Sequence, residues 1–567
     1  MRCIAVINAN VNNLKNVSIQ IPLDRYVVFV GKSGSGKSTL AVNVVMSGYM
    51  KKLQNVTVPL EPVLFKQKAF IPNSDQTIAG FLGISSDSIG KYIENNKKIK
   101  KEKKMLLTEL LQILELERIC TGDLIRELNL TKYNKLRFIK MLLKTEAELL
   151  IVDELGAGLS INEARKIAKC FRRLVDFGYS ILSVEHAVPI IEQSDYVIEL
   201  GPDAGEYGGE VTFEGDTSEY KKSKSWKEMI NLLKETASIH NKLSKGINIG
   251  DINYHGFKNL DLTIPFSGIV TICGPSGGGK SSLLDIIYRA CDKSASAWKN
   301  REGIDGAIDG KNNLRRPYMI DQAPIGNNAM STPATYTSIM ESLRNIYLNK
   351  AIEEQLKFDK SDFSFNSSGQ CQKCKGRGSF EVKIDDEQIY EVCDACNGKR
   401  YNENTLSVKE SDMSIGDVLS SSCQELYKIY SKDSKKRILT EKIDFINKIG
   451  LSYLRLGQPS GSLSGGESQR IKITKELSKK LGDRCLFILD SPAKGLHMMD
   501  LPCVMESLQK LIEKNNSVVI AENNPYFVYM SDWIIYLQDG KIMYEGLPEN
   551  CPKKLLNGLM GGKLVES

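Results

Sequence analysis

The pattern Gly-x-x-x-x-Gly-Lys-Ser occurs twice in this chain, as Gly31-Lys-Ser-Gly-Ser-Gly-Lys-Ser38 and as Gly274-Pro-Ser-Gly-Gly-Gly-Lys-Ser281. Each copy follows an apolar, β-branched run (26–30 and 268–273) and opens a segment of helical character, Ser38-Thr39-Leu-Ala-Val and Ser281-Ser282-Leu-Leu-Asp. Strand, glycine loop and helix form the context in which this pattern cradles phosphate. Gly31, Gly34 and Gly36 in the first copy, and Gly274, Gly277 and Gly279 in the second, let backbone N–H groups curl around an anion. Lys37 and Lys280 fall where they meet β- and γ-phosphates, and Ser38 and Ser281 where they meet magnesium; Thr39 and Ser282 belong to the same junctions. A glycine turn made only for tight packing is the rival reading. Two copies in matched surroundings argue against it.

The surroundings repeat as well. The segment 14–22 returns as 257–265, 194–200 as 531–537, and 209–215 as 540–546. The expected fold is therefore α/β: two tandem P-loop halves at 1–240 and 246–567, joined through a Lys/Ser-rich helical stretch around Trp226. The longer second half carries its excess between 323 and 463. With 567 residues, 41% hydrophobic and 26% charged, the chain has apolar material for two to four domains. A net charge of +7 from 76 basic and 69 acidic residues permits a nucleic-acid partner without arguing for one. The densest basic run, 97–104, reads as a solvated helix face. No export signal opens the chain and no run is long enough to span a membrane, so the thirteen cysteines are not read as disulfides and the cytoplasm is expected.

Two acidic strand ends follow the loops. Leu149-Leu-Ile-Val-Asp153-Glu154 offers Asp153 for the magnesium shell and Glu154 as the general base for an attacking water. Its counterpart, Leu486-Phe-Ile-Leu-Asp490-Ser491, lacks the second acid. The next strands end in His186, placed for a γ-phosphate contact, and in Asn523. Only the second half holds an intact Leu463-Ser464-Gly465-Gly466-Glu-Ser-Gln-Arg470, which opens a helical run and forms an anion site at its start.

Together these residues resemble the ABC-type ATPases, in which two nucleotide domains pair head to tail and each ATP lies between one domain's loop and the other's signature. From about 318 to 497 the chain is more closely similar to the UvrA family of bacterial excinucleases. The likeness lies in Ile320-Asp-Gln322-Ala-Pro-Ile-Gly, Pro333-Ala-Thr-Tyr-Thr337, Gly398-Lys-Arg-Tyr401 and Leu456-Gly-Gln-Pro-Ser-Gly-Ser-Leu-Ser-Gly-Gly-Glu467. The resemblance implies an ATPase, without nuclease activity of its own, that couples ATP and Mg2+ to duplex DNA in damage recognition or excision repair. It also implies a possible homodimer. Only 116 positions separate Lys37 from Asp153 (153 minus 37), which leaves no room for the family's UvrB-docking and insertion domains and puts a UvrB-type partner in doubt.

The first half's signature is expected at Leu130-Thr-Lys-Tyr-Asn-Lys-Leu-Arg137, which has lost both glycines. Head-to-tail pairing then makes the sites unequal. Site one combines Lys37, Ser38, Asp153, Glu154, His186 and Gln67 with Ser464, Gly465 and Gly466. Site two combines Lys280, Ser281, Gln322 and Asp490 with the altered stretch. Site one is expected to hydrolyse ATP and site two to bind it.

Cys371-Gln-Lys-Cys374 and Cys393-Asp-Ala-Cys396, with eighteen residues between the pairs, have the spacing of a closed four-cysteine zinc site inserted in the second half at 363–405. A redox pair is the rival. Lys373, Lys375, Arg377, Lys399 and Arg400, and more distantly Arg344 and Lys350, are candidate phosphate contacts. Other readings are an ATPase that clears a drug adduct from DNA, a membrane transporter's ATPase subunit, and a nucleotide-gated regulator that binds protein. Residues 71–120 read as a helical subdomain without a motif.

Overall fold

The computed structural model describes residues 2–11, 13–51, 55–67, 71–72, 74–232, 241–254, 256–275, 277–292, 304, 306–321, 325–326, 330–384, 387–463, 465–477 and 483–560. Two six-stranded sheets repeat one order. The first runs Pro62–Lys66, Leu149–Asp153, Ser180–Val184, Tyr26–Val30, Tyr196–Gly201, Glu210–Asp216. The second runs Arg316–Ile320, Cys485–Asp490, Ser517–Ala521, Ile269–Cys273, Trp533–Gln538, Lys541–Gly546. In both, the P-loop strand is central, its neighbours are parallel to it, and the last strand is antiparallel.

Burial explains the sequence of these strands. Every residue of Tyr26–Val30, Leu149–Asp153, Ser180–Val184, Ile269–Cys273 and Ser517–Ala521 is buried, as expected for parallel strands covered on both faces, and so they read as mainly apolar runs without alternation. The antiparallel edge Glu210–Asp216 alternates exposed and half-buried positions. A small antiparallel sheet brackets each loop in sequence: Val17–Pro22, Cys3–Ala9 and Val56–Thr57 in the first half; Leu260–Phe266, Ser244–Ile252 and Ile308–Asp309 in the second. Ile4, Val6, Ile19 and Ile21 of the first small sheet share a core with Val27, Phe29, Ile151 and Leu182.

By compactness the chain divides along a different line from the repeat. One unit comprises Met1–Pro317, Leu486–Met505 and Asn516–Ser567; the other comprises Tyr318–Cys485 and Glu506–Asn515. The first unit contains both P-loops and both acidic strand ends. The second contains the four cysteines and the helices Ile339–Glu353, Cys423–Tyr430, Arg437–Ile446 and Gly465–Leu477.

Three local findings refine the sequence reading. The helix after the first loop, Thr39–Met46, winds as a π-helix before Ser47–Lys51 becomes α-helical. Residues 71–120 supply the helices Ile78–Leu82, Ile89–Asn95 and Lys101–Ile113, but the basic run on the last of these is not wholly solvated. Lys103 is buried, and its ammonium donates to the Thr145 carbonyl (2.6 Å) and to Glu146 (3.1 Å). In the connecting stretch, Trp226 of the helix Lys224–Leu232 packs edge-on against Tyr220, with ring centroids 5.9 Å apart. Among the described residues, no helix is long and apolar enough to cross a membrane.

Candidate nucleotide sites and a four-cysteine centre

The strand Tyr26–Val30 delivers the chain to Gly31, whose φ is +130° and where a Cβ would lie 2.1 Å from the Leu200 carbonyl oxygen. Only glycine can make this approach. Lys37 is buried, and its ammonium folds back onto the carbonyls of Gly31 (2.8 Å) and Lys32 (2.6 Å). The Ser33 and Ser35 hydroxyls are buried without a hydrogen-bond partner among the described residues, a polar lining suited to an anion. The Ser38 hydroxyl donates to Asp153 (2.9 Å), so the two magnesium-shell candidates of the first half are brought together.

Asp153 closes a wholly buried strand. Burial raises its carboxyl above the usual range, while Lys66, 3.9 Å away, opposes the rise. Glu154 takes φ +59° at the strand end, and its carboxylate stands 3.6 Å from His186 Nε2. Burial, and then Lys37, hold His186 well below its ordinary value, so the imidazole is neutral at physiological pH. Its Nδ1 is buried without a hydrogen-bond partner among the described residues. Gln67 lies alongside: its backbone N–H donates to the Asp153 carbonyl (3.2 Å) and its amide to the Ala157 carbonyl (3.1 Å). Behind them, burial pushes the Glu185 carboxyl up to about 8, and that carboxyl accepts the Gly156 N–H at 3.0 Å.

The second half makes the same scaffold with different end groups. Gly274 has φ +140°, and Lys280 donates to the carbonyls of Gly274 and Pro275, both at 2.8 Å. Ser281 is exposed and Ser282 half-buried at the start of the helix Lys280–Cys291. The Asp490 carboxylate accepts the hydroxyl of Ser491 (3.0 Å), the residue that stands where the first half has its general-base candidate. Asn523, in the place of His186, accepts the Gly274 N–H at 3.1 Å. Gln322 and Ser464 lie outside the described residues.

The helix boundaries correct one expected alignment. The intact signature helix starts at Gly465, directly after Ser464, and its Gly466 is buried. The first half's helix is Leu130–Lys144, capped by Asn129, whose side-chain oxygen accepts the Lys132 N–H at 2.8 Å. Asn129, two positions before the residue matched to Ser464 by sequence, is thus its counterpart. The buried cations agree with this register. Lys135 donates to the Leu114 carbonyl (3.3 Å), and Arg470 to the carbonyls of Ile449 (3.3 Å) and Gly450 (3.1 Å). A Cβ on Gly277 would sit 3.0 Å from Asn129 Nδ2, so the altered signature of the first half faces the second half's loop. Conversely, Asp500 of the second half accepts the Ser33 N–H (3.0 Å) of the first loop, and the rings of His186 and His497 meet edge-on at 5.6 Å. His497 and Asp500 were not singled out from sequence. The available signal was that His497, one of four histidines, follows Asp490 by seven positions (497 minus 490).

In the second unit, the sulfurs of Cys371, Cys374, Cys393 and Cys396 all lie within 4.8 Å of one another and form a buried cluster. The Cys374 and Cys396 sulfurs are 3.7 Å apart, close to the ~3.8 Å edge of a tetrahedron with Zn–S bonds of ~2.3 Å. Convergence of all four sulfurs fits one metal better than two redox pairs. The strands Ser379–Ile384 and Glu387–Val392 pair antiparallel between the two knuckles. The basic residues divide in two. Lys373 pairs with Asp394 (2.6 Å), Lys399 with Asp417 (2.8 Å) and Lys350 with Glu354 (3.2 Å), while Lys375 and Arg377 are exposed. Arg344 is partly buried and donates to Ser364 (3.1 Å). Arg400 is not a surface cation at all. It is 2% exposed, donates to the carbonyls of Gly457 (3.0 Å) and Gly376 (2.9 Å), and lies over the Phe365 ring. It fastens the cysteine module from within.

A family profile described as ABC transporter matches residues 257–494. UvrABC system protein A of Aquifex aeolicus (strain VF5) is 35% identical over 423 residues, covering 72% of this chain and 45% of that protein. The protein of the same name from Thermus thermophilus is 34% identical over 418 residues, covering 71% and 43%. The chain thus spans under half the length of these curated relatives. The crystal structure of UvrA2 from Deinococcus radiodurans has the same fold, with a TM-score of 0.83 at 18% identity over 99% of each chain. The paired P-loop scaffolds and this identity make the chain homologous, over 71–72% of its length, to the UvrA-like ABC ATPases.

Proposed function

We propose that this protein is an ATP-dependent DNA-binding ATPase of damage recognition or excision repair, with one hydrolytic site and one that binds nucleotide and turns it over slowly. The observation that carries the reading is the asymmetry of end groups. Ser38, Asp153, Glu154 and His186 converge in the first half, whereas Ser491 and Asn523 replace the last two in the second.

In the hydrolytic site, Lys37 and the N–H groups of the 31–38 loop hold the β- and γ-phosphates. By the head-to-tail pairing that the family resemblance implies, Ser464, Gly465 and Gly466 would complete the pocket. Ser38 and Asp153 would hold a magnesium ion, which would neutralise charge on the phosphate oxygens. Glu154 accepts the proton of a water aimed at the γ-phosphorus, and ADP leaves with its terminal oxygen freed. Neutral His186 presents a hydrogen bond without adding charge. In the second site, Asn129 offers a side-chain amide to the loop where the intact signature offers a serine and two glycines.

The chain's relatives are named for the UvrABC system, and the cysteine module carries the exposed cations Lys375 and Arg377. A zinc ion in that module would hold these cations on a fixed frame, suited to duplex phosphates and to distorted shape rather than base identity. Action on DNA would place the protein in the cytoplasm. A homodimer would serve DNA binding. With no room between Lys37 and Asp153 for a UvrB-docking domain, a dedicated clearing role fits the chain better than the full incision pathway.

The test is ATPase activity with and without duplex DNA over a salt series. Stimulation by DNA that fades between 50 and 200 mM salt, as counterion release requires for ~6–10 phosphate contacts, is expected. Replacing Lys375 and Arg377 by Ala should flatten the salt slope by ~1 for each phosphate-binding cation removed. No stimulation at any salt would remove DNA as the partner.

A further inference from the structure

Lys494 is buried at 9% exposure in the loop after the Asp490 strand, outside the phosphate loop and the strand ends. The two halves build this loop alike. Glu154 N–H donates to the Val184 carbonyl (3.0 Å) and Ser491 N–H to the Ala521 carbonyl (2.8 Å). Gly156 N–H donates to Glu185 (3.0 Å) and Ala493 N–H to Glu522 (2.9 Å). Gly158 and Gly495 share a left-handed φ, +73° and +70°. In this register Lys494 is the counterpart of Ala157. The half that has lost its own base, at Ser491, is the half that carries the lysine.

The lysine faces the other half. A Cβ on Gly158 would lie 2.9 Å from Lys494 Cγ and 3.0 Å from its Cδ, so the stem lies along the loop that begins with Glu154. A Cβ on Gly495 would lie 3.3 Å from Glu154 Oε2, which puts the Glu154 carboxylate against the residue next to Lys494. Both loops line one cavity of about 90 Å3, together with His186 and Asn523. Burial draws the Lys494 ammonium down to about 8, and the carboxylates of Asp490 and Glu154 resist that fall. Asp153 brings like charge toward Glu154, and His186 beside it is neutral. A cation there offsets the crowding of acids that a general base must tolerate.

We infer that Lys494 is a positioning residue of the first site, supplied by the second half: it holds the Glu154 carboxylate ready for water and links it to Asp490, the magnesium-shell candidate of the second site. Occupancy of the second site is thereby felt at the base of the first. The inference rests on the first site being the hydrolytic one. The competing role is packing, in which the stem of Lys494 merely fills the space above Gly158.

Three variants of the full chain separate these roles by steady-state ATPase: Lys494→Met, which keeps the stem and removes the charge, Lys494→Arg, and Lys280→Ala. Lys494→Met should lower kcat by roughly tenfold or more with KM for ATP within about twofold, and Lys494→Arg should keep most of the rate. Lys280→Ala should slow the parent protein and cause no further loss in the Lys494→Met background. Wild-type turnover in Lys494→Met overturns the inference. So do equal losses in Met and Arg variants, or independent, multiplicative effects of Lys280→Ala and Lys494→Met. Glu154→Gln, run alongside, tells the two claims apart. Wild-type hydrolysis in that variant removes the reading of the first site, whereas an inactive Glu154→Gln with unaffected Lys494→Met removes the Lys494 assignment alone.

Discussion

Glu154→Gln is expected to lower steady-state ATP hydrolysis by ~10²–10⁴-fold and to leave ATP binding intact. The substitution keeps the size of the side chain and removes only its capacity to accept a proton. Lys37, Ser38 and Asp153, which hold the nucleotide, are untouched, so KM should move little while kcat collapses. The size of the loss also reports on the second site. Its strand end carries Ser491 and Asn523, and its Asp490 carboxylate already accepts the Ser491 hydroxyl. If that site hydrolysed ATP at a comparable rate, Glu154→Gln would cost no more than about half the activity. Steady-state rate and nucleotide affinity measured on the same preparation distinguish the two outcomes.

Cys374→Ser is expected to strip the second unit of its metal and loosen the hairpin between the knuckles. Structural zinc sites in small modules contribute on the order of 10–16 kcal/mol of apparent binding free energy near neutral pH, which exceeds what a two-stranded hairpin supplies for itself. Cys374 also accepts the Gly378 N–H at 3.2 Å, so its thiolate organises the turn leading into Ser379–Ile384. Emission spectroscopy should find about one zinc per parent chain and almost none in the variant. Limited proteolysis should then cut within 379–392. Equal zinc in both proteins would show that the four sulfurs do not share a metal. Because buried Arg400 ties the module to Gly457, loss of the metal should also weaken duplex DNA binding.

What the sequence disclosed and what it hid follow the range of the interactions. The loops, the Asp153–Glu154 strand end and the paired cysteines are local patterns whose chemistry depends on spacing along the chain, and they were legible. The altered signature was found but misplaced by two positions. With both glycines gone, the marker of register was the cap at Asn129, and a cap is recognised by backbone geometry rather than by residue type alone. Arg400 was misjudged because a basic residue in a basic cluster carries no sign of burial; its partners, Gly376 and Gly457, are distant in sequence. Lys103 was hidden in the same way by Thr145 and Glu146. The contacts of His497, Asp500 and Lys494 with the first half escaped entirely, since they exist only where two distant loops meet.

The central claim is that the signature of the second half finishes the pocket of the first. Vanadate takes the place of the departed γ-phosphate, and ultraviolet light then breaks the chain beside it. Mass-spectrometric mapping of those breaks therefore reads which residues share one phosphate. The expected result is paired cleavage within 31–38 and at 464–466, absent in Glu154→Gln, where no turnover loads the trap. Cleavage within 31–38 accompanied by breaks at 129–132, with none at 464–466, would contradict the account.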